Sequence, residues 1–159
     1  MKAIYPCSFD PIHNGHIEVI QAAAEIYEHL FLYVINYEEE IHQNTLITRG
    51  EIVEKAISNL GFDNITVVVQ NPGIQVPNAA KKLGATTLIR GTASRAIDAS
   101  EQELTEKYLE INDDLIINYI VTPTFKITSK EIIKLNQSNK SIKNYVPKII
   151  EKDVVLKWR

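Results

Sequence analysis

Short apolar runs alternate with stretches of helical spacing from residue 2 to residue 121, and that order restricts the fold more than any other feature of the chain. Residues 2–5 read as a strand, and 17–27 have helical spacing around Ala22, Ala23 and Ala24. A second strand at 30–35 and a helix at 45–60 follow, then a strand at 65–69 and a short helix at 76–83. A fourth strand at 86–89, an acidic periodic helix from about 97 to 111 and a strand at 115–121 complete the alternation. Strands this short, apolar on both faces and separated by helices, suit a parallel sheet covered on each side. The expectation is an α/β fold: a single domain over residues 1–159 built on a doubly wound, parallel, five-stranded sheet of the dinucleotide-binding kind. After Thr128 the pattern is helical to the end, as two or three short helices interrupted by Pro147.

Such a sheet binds ligands outside the carboxyl ends of its strands, where the strand order reverses. The loops there are 6–14, 36–44, 70–75, 90–96 and 122–128, and the chemically suggestive residues fall in them. Composition narrows the partners. With 45% hydrophobic and 23% charged residues the chain is of ordinary globular make-up, and a net charge of −3 argues against non-specific nucleic-acid binding. Cys7 is the single cysteine, so neither an internal disulfide nor a cysteine zinc site is expected. No apolar run approaches the roughly 20 residues of a membrane helix, and the opening residues read as a core strand rather than a signal peptide. The expected location is cytoplasmic, with no membrane partner.

Three loci carry the chemistry. The first is Ser8-Phe9-Asp10-Pro11-Ile12-His13-Asn14-Gly15-His16, directly after the first strand. Two imidazoles three positions apart at a helix start share one face, where unpaired N–H groups and the helix dipole attract phosphate. Ser8 reads either as a phosphate donor or as a turn residue, and Asp10 as a turn-maker bonding local backbone N–H groups. The second locus is Leu88-Ile89-Arg90-Gly91, with Arg95 beyond it. A guanidinium here suits bidentate phosphate binding; the plainer reading pairs Arg90 with a carboxylate such as Asp98. The third is Phe125-Lys126-Ile127-Thr128-Ser129-Lys130-Glu131, a helix start with hydroxyls and lysines that reads as an anion site or as a simple N-cap.

Together the loci resemble the nucleotidyltransferase superfamily with (H/T)-x-G-H after the first strand and an I-S-S/T-type motif before a late helix. Within it the chain resembles phosphopantetheine adenylyltransferase, whose pattern A-x-Y-P-G-(S/T)-F-D-P-x-(T/H)-x-G-H matches Ala3 to His16. The likeness extends to Thr45-Leu46-Ile47-Thr48-Arg49, Leu88-Ile89-Arg90-Gly91 and Ile127-Thr128-Ser129, and to the overall length. The resemblance implies adenylyl transfer from ATP to 4′-phosphopantetheine, giving dephospho-CoA and pyrophosphate by in-line attack without a covalent enzyme intermediate. It implies His16 as the catalytic residue, with Ser8, the Phe9 amide and His13 on ATP. Arg90 and Val76, with Ser8, would contact the acceptor. Gly91, Arg95 and Glu103 would complete the ATP site with Thr124, Phe125, Lys126, Ile127, Thr128, Ser129 and Lys130. Mg²⁺ would arrive with the nucleotide rather than in a protein cage, and a homo-oligomer, a hexamer in the family, is implied.

Three departures stand out. Cys7 replaces a glycine, and two residues are inserted between Arg90 and Asp98. Most notably, Tyr37-Glu38-Glu39-Glu40-Ile41-His42 places Glu40 where the family carries a phosphate-neutralising lysine. Lys126, at a position usually aromatic or apolar, is a candidate replacement for that charge, with His42 a weaker one. The alternatives are a nicotinate-mononucleotide adenylyltransferase, a cytidylyltransferase, or a non-catalytic nucleotide-binding homologue that the acidic loop would suit.

Overall fold

The computed structural model describes residues Met1–Arg159. Its sheet has five parallel strands in the order β3-β2-β1-β4-β5, with β1 (Lys2–Cys7) in the middle. β2 (His29–Val34) and β3 (Ile65–Val69) lie on one side, and β4 (Thr87–Thr92) and β5 (Ile116–Val121) on the other. Six α-helices connect and flank them: α1 (Asn14–Ile26), α2 (Leu46–Ile57), α3 (Val76–Leu83), α4 (Ala99–Ile111), α5 (Ser129–Gln137) and α6 (Glu151–Lys157). No helix is long and apolar enough to cross a membrane.

The alternation along β1 splits the core. Ala3 and Tyr5 face a cluster that includes Ile20 of α1, Val53 of α2 and the fully buried Trp158. Ile4 faces the opposite cluster, with Val76, Ala80, Leu88 and Tyr108. One residue's step along a strand turns the side chain to the other face, so both faces of β1 must be apolar.

β1 pairs with β2 along its whole length, from Lys2↔His29 to Cys7↔Val34. Against β4 it pairs only at Ala3↔Thr87 and Ile4↔Leu88, so the two strands part company beyond Ile4. That divergence lies where the strand order reverses and opens the crevice in which such sheets hold ligands.

Several boundaries differ from the sequence expectation. β4 continues to Thr92 because Arg90, Gly91 and Thr92 pair with Tyr119, Ile120 and Val121 of β5. Arg90 and Gly91 therefore lie within a strand and not in the loop after it. α4 begins at Ala99, where the Asp98 carboxylate accepts from the Glu101 amide and caps the helix. α1 begins at Asn14, ahead of the apolar spacing at 17–27 but in agreement with the helix start expected at His-Asn-Gly-His, so His16 is inside the helix.

Candidate functional site

The chain leaves β1 at Cys7 and turns sharply. Phe9 sits at φ 46, a left-handed conformation that costs a side-chain-bearing residue about 1–2 kcal/mol. The cost is offset by burial of its ring, which meets Tyr5 and His16 edge-on at 5.5 and 5.1 Å. His13 is the N-cap of α1, and the hydrogen bonds of the turn set both imidazole tautomers. The His13 amide donates to His16 Nδ1 at 3.0 Å, and the Gly15 amide donates to His13 Nδ1 at 3.0 Å. A neutral ring whose Nδ1 accepts carries its proton on Nε2, so each histidine offers an Nε2–H donor. The rings lie 3.7 Å apart.

Both rings are held neutral. Burial lowers the His13 pKa to about 4. Burial first, and then the repulsion of the Arg90 guanidinium and of His13 when it is protonated, holds His16 well below the usual histidine range. His16 Nε2 rests 3.4 Å from Cys7 Sγ, a weak acceptor. Gly15 is required here, because a Cβ would come within 2.8 Å of His13 Cε1 and 2.9 Å of Phe125 Cδ2.

Arg90 crosses the gap between the diverging strands. Its Nη1 donates to the Pro6 carbonyl at 2.8 Å and to Tyr37 Oη at 3.4 Å. Its Nε and Nη2 meet the two oxygens of Glu101 at 2.5 and 3.0 Å. The carboxylate partner is thus Glu101 on α4, not Asp98. Burial opposes the guanidinium's charge, but Tyr37 and Glu101 outweigh it and hold its pKa well above the usual value.

The late segment closes the third side. A 3₁₀ turn, Pro123–Lys126, is pinned to α1 by Glu18, which accepts from the hydroxyls of Thr122 and Thr124. The Phe125 ring lies edge-on to His13 and His16 at 5.2 and 5.3 Å. It also rests on Gly91, where a Cβ would meet Phe125 Cε2 at 2.6 Å. Thr128 caps α5, and Ser129 Oγ donates to the Pro11 carbonyl at 2.8 Å. A cleft of about 600 Å³ opens between Ser8 and Asp10, the α5 start at Thr128, Ser129 and Lys130, and Glu39 and Glu40 of the acidic loop.

The structure therefore brings together Ser8, Phe9, His13, His16, Arg90, Gly91, Phe125, Thr128, Ser129 and Lys130 around the crevice and its cleft, while Thr124 is held on Glu18 of α1 and Ile127 packs partly buried against the core. Lys126 and Arg95 are exposed on the adjoining turn and loop. Glu103 is turned to solvent and pairs with Lys107 one helical turn on, at 3.3 Å. Val76 is 4% exposed and belongs to the core. Asp10 bonds across the fold: one oxygen meets His42 Nδ1 at 2.7 Å and the other accepts from Trp158 Nε1 at 2.7 Å. That replaces the local turn-making role expected of it, and it engages His42 away from phosphate.

Two supporting residues have roles that sequence reasoning did not assign. Arg49 is 1% exposed and donates to the carbonyls of Ser8, Ile35 and Asn44 and to Asn36 Oδ1, tying α2 to both site loops. Its signal was a lone arginine on the apolar face of a helix. Glu101 had no signal separating it from Glu103, since spacing alone does not say which helix face meets Arg90.

Residues 4–139 match a family described as cytidylyltransferase-like. The chain is 31% identical over 155 residues to the phosphopantetheine adenylyltransferase of Finegoldia magna, covering 96% of this chain and 93% of the relative. It is 28% identical to the enzyme of that name from Staphylococcus haemolyticus, covering 99% and 97%. Among solved structures, that of a candidate nicotinate-nucleotide adenylyltransferase from Vibrio parahaemolyticus superposes with a TM-score of 0.74 at 18% identity, over 98% of this chain and 97% of that one. That likeness concerns the fold.

Proposed function

The chain belongs to the phosphopantetheine adenylyltransferases, within the cytidylyltransferase-like family, and from that membership we propose how its site transfers the adenylyl group of ATP to 4′-phosphopantetheine. The products are dephospho-CoA and pyrophosphate, a step of coenzyme A synthesis. The observation that carries the mechanism is the pair of neutral imidazoles, each with a fixed Nε2–H, at the N-terminus of α1 beside the strand-switch crevice.

The acceptor phosphate attacks the α-phosphorus in line, and no enzyme nucleophile is needed. His16 Nε2–H leaves the weak Cys7 acceptor and donates to the α-phosphate oxygen as charge grows on it in the transition state. His13 Nε2–H donates beside it. The free amides at the start of α5, with Thr128, Ser129 and Lys130, hold the β- and γ-phosphates. Ser8 sits between nucleotide and acceptor, and Arg90 faces the acceptor phosphate. Catalysis is then positioning and charge stabilisation. No three His, Cys, Asp or Glu side chains converge as a metal cage. Mg²⁺ would enter with ATP, largely hydrated, and would neutralise phosphate charge there.

Glu38, Glu39 and Glu40 are exposed, so solvent and salt screen them and their cost to a triphosphate is small. The test is pyrophosphate release with ATP, Mg²⁺ and either 4′-phosphopantetheine or nicotinate mononucleotide. Turnover is expected with the first alone, and His16→Ala should lower kcat by about 10²–10³ with ATP binding retained. Turnover only with the mononucleotide, or none with either acceptor, overturns the assignment.

A further inference from the structure

Arg90 and Glu101 form a pair whose geometry limits what Arg90 can offer a ligand. A guanidinium has five N–H donors. Here Nε–H and one Nη2–H go to Glu101, and the two Nη1–H groups go to the Pro6 carbonyl and Tyr37 Oη. Four are committed and one Nη2–H is left. The side chains are 12% and 20% exposed, so the pair is largely withdrawn from solvent and weakly screened. Glu101 stands in the first turn of α4, where the helix dipole favours a carboxylate. Its amide is already satisfied by the Asp98 cap, leaving its side chain free to reach β4.

We infer that Glu101 is a positioning residue that fixes the plane of Arg90 and restricts it to a single hydrogen bond with the acceptor phosphate. This rests on Arg90 facing that phosphate, as proposed above. The acceptor subsite then differs from a bidentate arginine–phosphate fork. Its charge is balanced from within, since Glu101 answers Arg90 and Glu40 stands on the neighbouring loop. The phosphate is aligned for attack more than it is gripped. A tight ground-state fork would lower KM without raising kcat, whereas a held single donor leaves binding energy to the transition state.

The two roles of Glu101, charge and position, are separable by substitution. Glu101→Gln removes the charge and one of the two acceptor oxygens. Glu101→Asp keeps the charge on a side chain one methylene shorter. The experiment is calorimetric titration of inorganic phosphate and of 4′-phosphopantetheine into the full chain, followed by steady-state kinetics, with thermal melts to establish that each variant folds. E101Q should bind inorganic phosphate several-fold more tightly than the unmodified chain, and Arg90→Ala in the same background should abolish that gain. In turnover, E101Q should lower the acceptor KM and lower kcat, each several-fold, with the KM for ATP unchanged. E101D should lower kcat with no fall in acceptor KM. Loss of fold alone cannot tighten anion binding, so the opposite signs separate positioning from stability. E101Q with unchanged phosphate affinity, or E101D with unchanged kcat, overturns the inference. Failure of the acceptor assignment would show differently, as absence of product from the unmodified chain while the phosphate titration still reads the Arg90–Glu101 pair.

Discussion

At the scale of the residue, the site is built from groups held in one protonation state. His13 and His16 are 2% and 3% exposed and neutral, their Nδ1 atoms occupied by backbone amides. Folding on neutral imidazoles has a pH signature. The His13 pKa is about 4 in the folded chain against an ordinary 6.5, so as pH falls below 6.5 the unfolded state takes up the proton first. The stability belonging to that difference is fully present above about pH 6.5. It is lost progressively towards pH 4, by about 3 kcal/mol. The melting temperature should fall across that window, and His13→Asn should flatten the slope in a pH series of thermal melts. Lys126 gives a second prediction. It is exposed at the end of the 3₁₀ turn that carries Phe125 over the histidines. If it supplies the charge that Glu40 does not, Lys126→Ala raises the KM for ATP several-fold and lowers turnover in the pyrophosphate assay; unchanged values would discard that role.

At the scale of the element, the loops around the cleft are tied down from behind. Asp10 joins the first turn to His42 and to Trp158, and Asn44 donates to the Lys157 carbonyl. The end of α6 thus braces the turn after β1 and the loop after β2 together. Trp158→Phe keeps most of the buried ring but leaves one Asp10 oxygen without its donor. A loss of about 1–3 kcal/mol is expected, read from denaturant midpoints at constant m-value. Secondary-structure order was readable from hydrophobic period, and every expected strand and helix to residue 121 has its counterpart. The extent of β4 was not, because Gly91 and Thr92 have no strand pattern of their own and are held by pairing to Ile120 and Val121 of β5. Asp10 misled for a related reason: its partners stand 32 and 148 residues away in the chain.

At the scale of the whole molecule, the strand order makes the site. β1 and β4 pair at two positions and then diverge, and the crevice receives the turn after β1, the end of β4 and the start of α5. A ligand that binds this folded arrangement and not the unfolded chain stabilises it by mass action. MgATP at 100 times its dissociation constant should add about 2.7 kcal/mol and raise the melting temperature, and omission of the nucleotide should remove the gain. The oligomer implied by the family resemblance is read from the mass in solution, expected as a multiple of 18.0 kDa.

The sequence by itself determined the fold class, the gathering of most candidate site residues near the carboxyl ends of the strands, and the His-Asn-Gly-His helix start. These are local properties: a hydrophobic period, a turn, a glycine that a neighbouring imidazole leaves no room to replace. Only the tertiary structure decided which groups face one another. Arg90 meets Glu101 and not Asp98, Glu103 points to solvent, and Asp10 reaches His42 and Trp158. Such pairings depend on strand order, on where β4 ends and on the rotation of α4 about its axis. None of these is written in spacing along the chain, because each arises when elements distant in sequence pack against a common sheet.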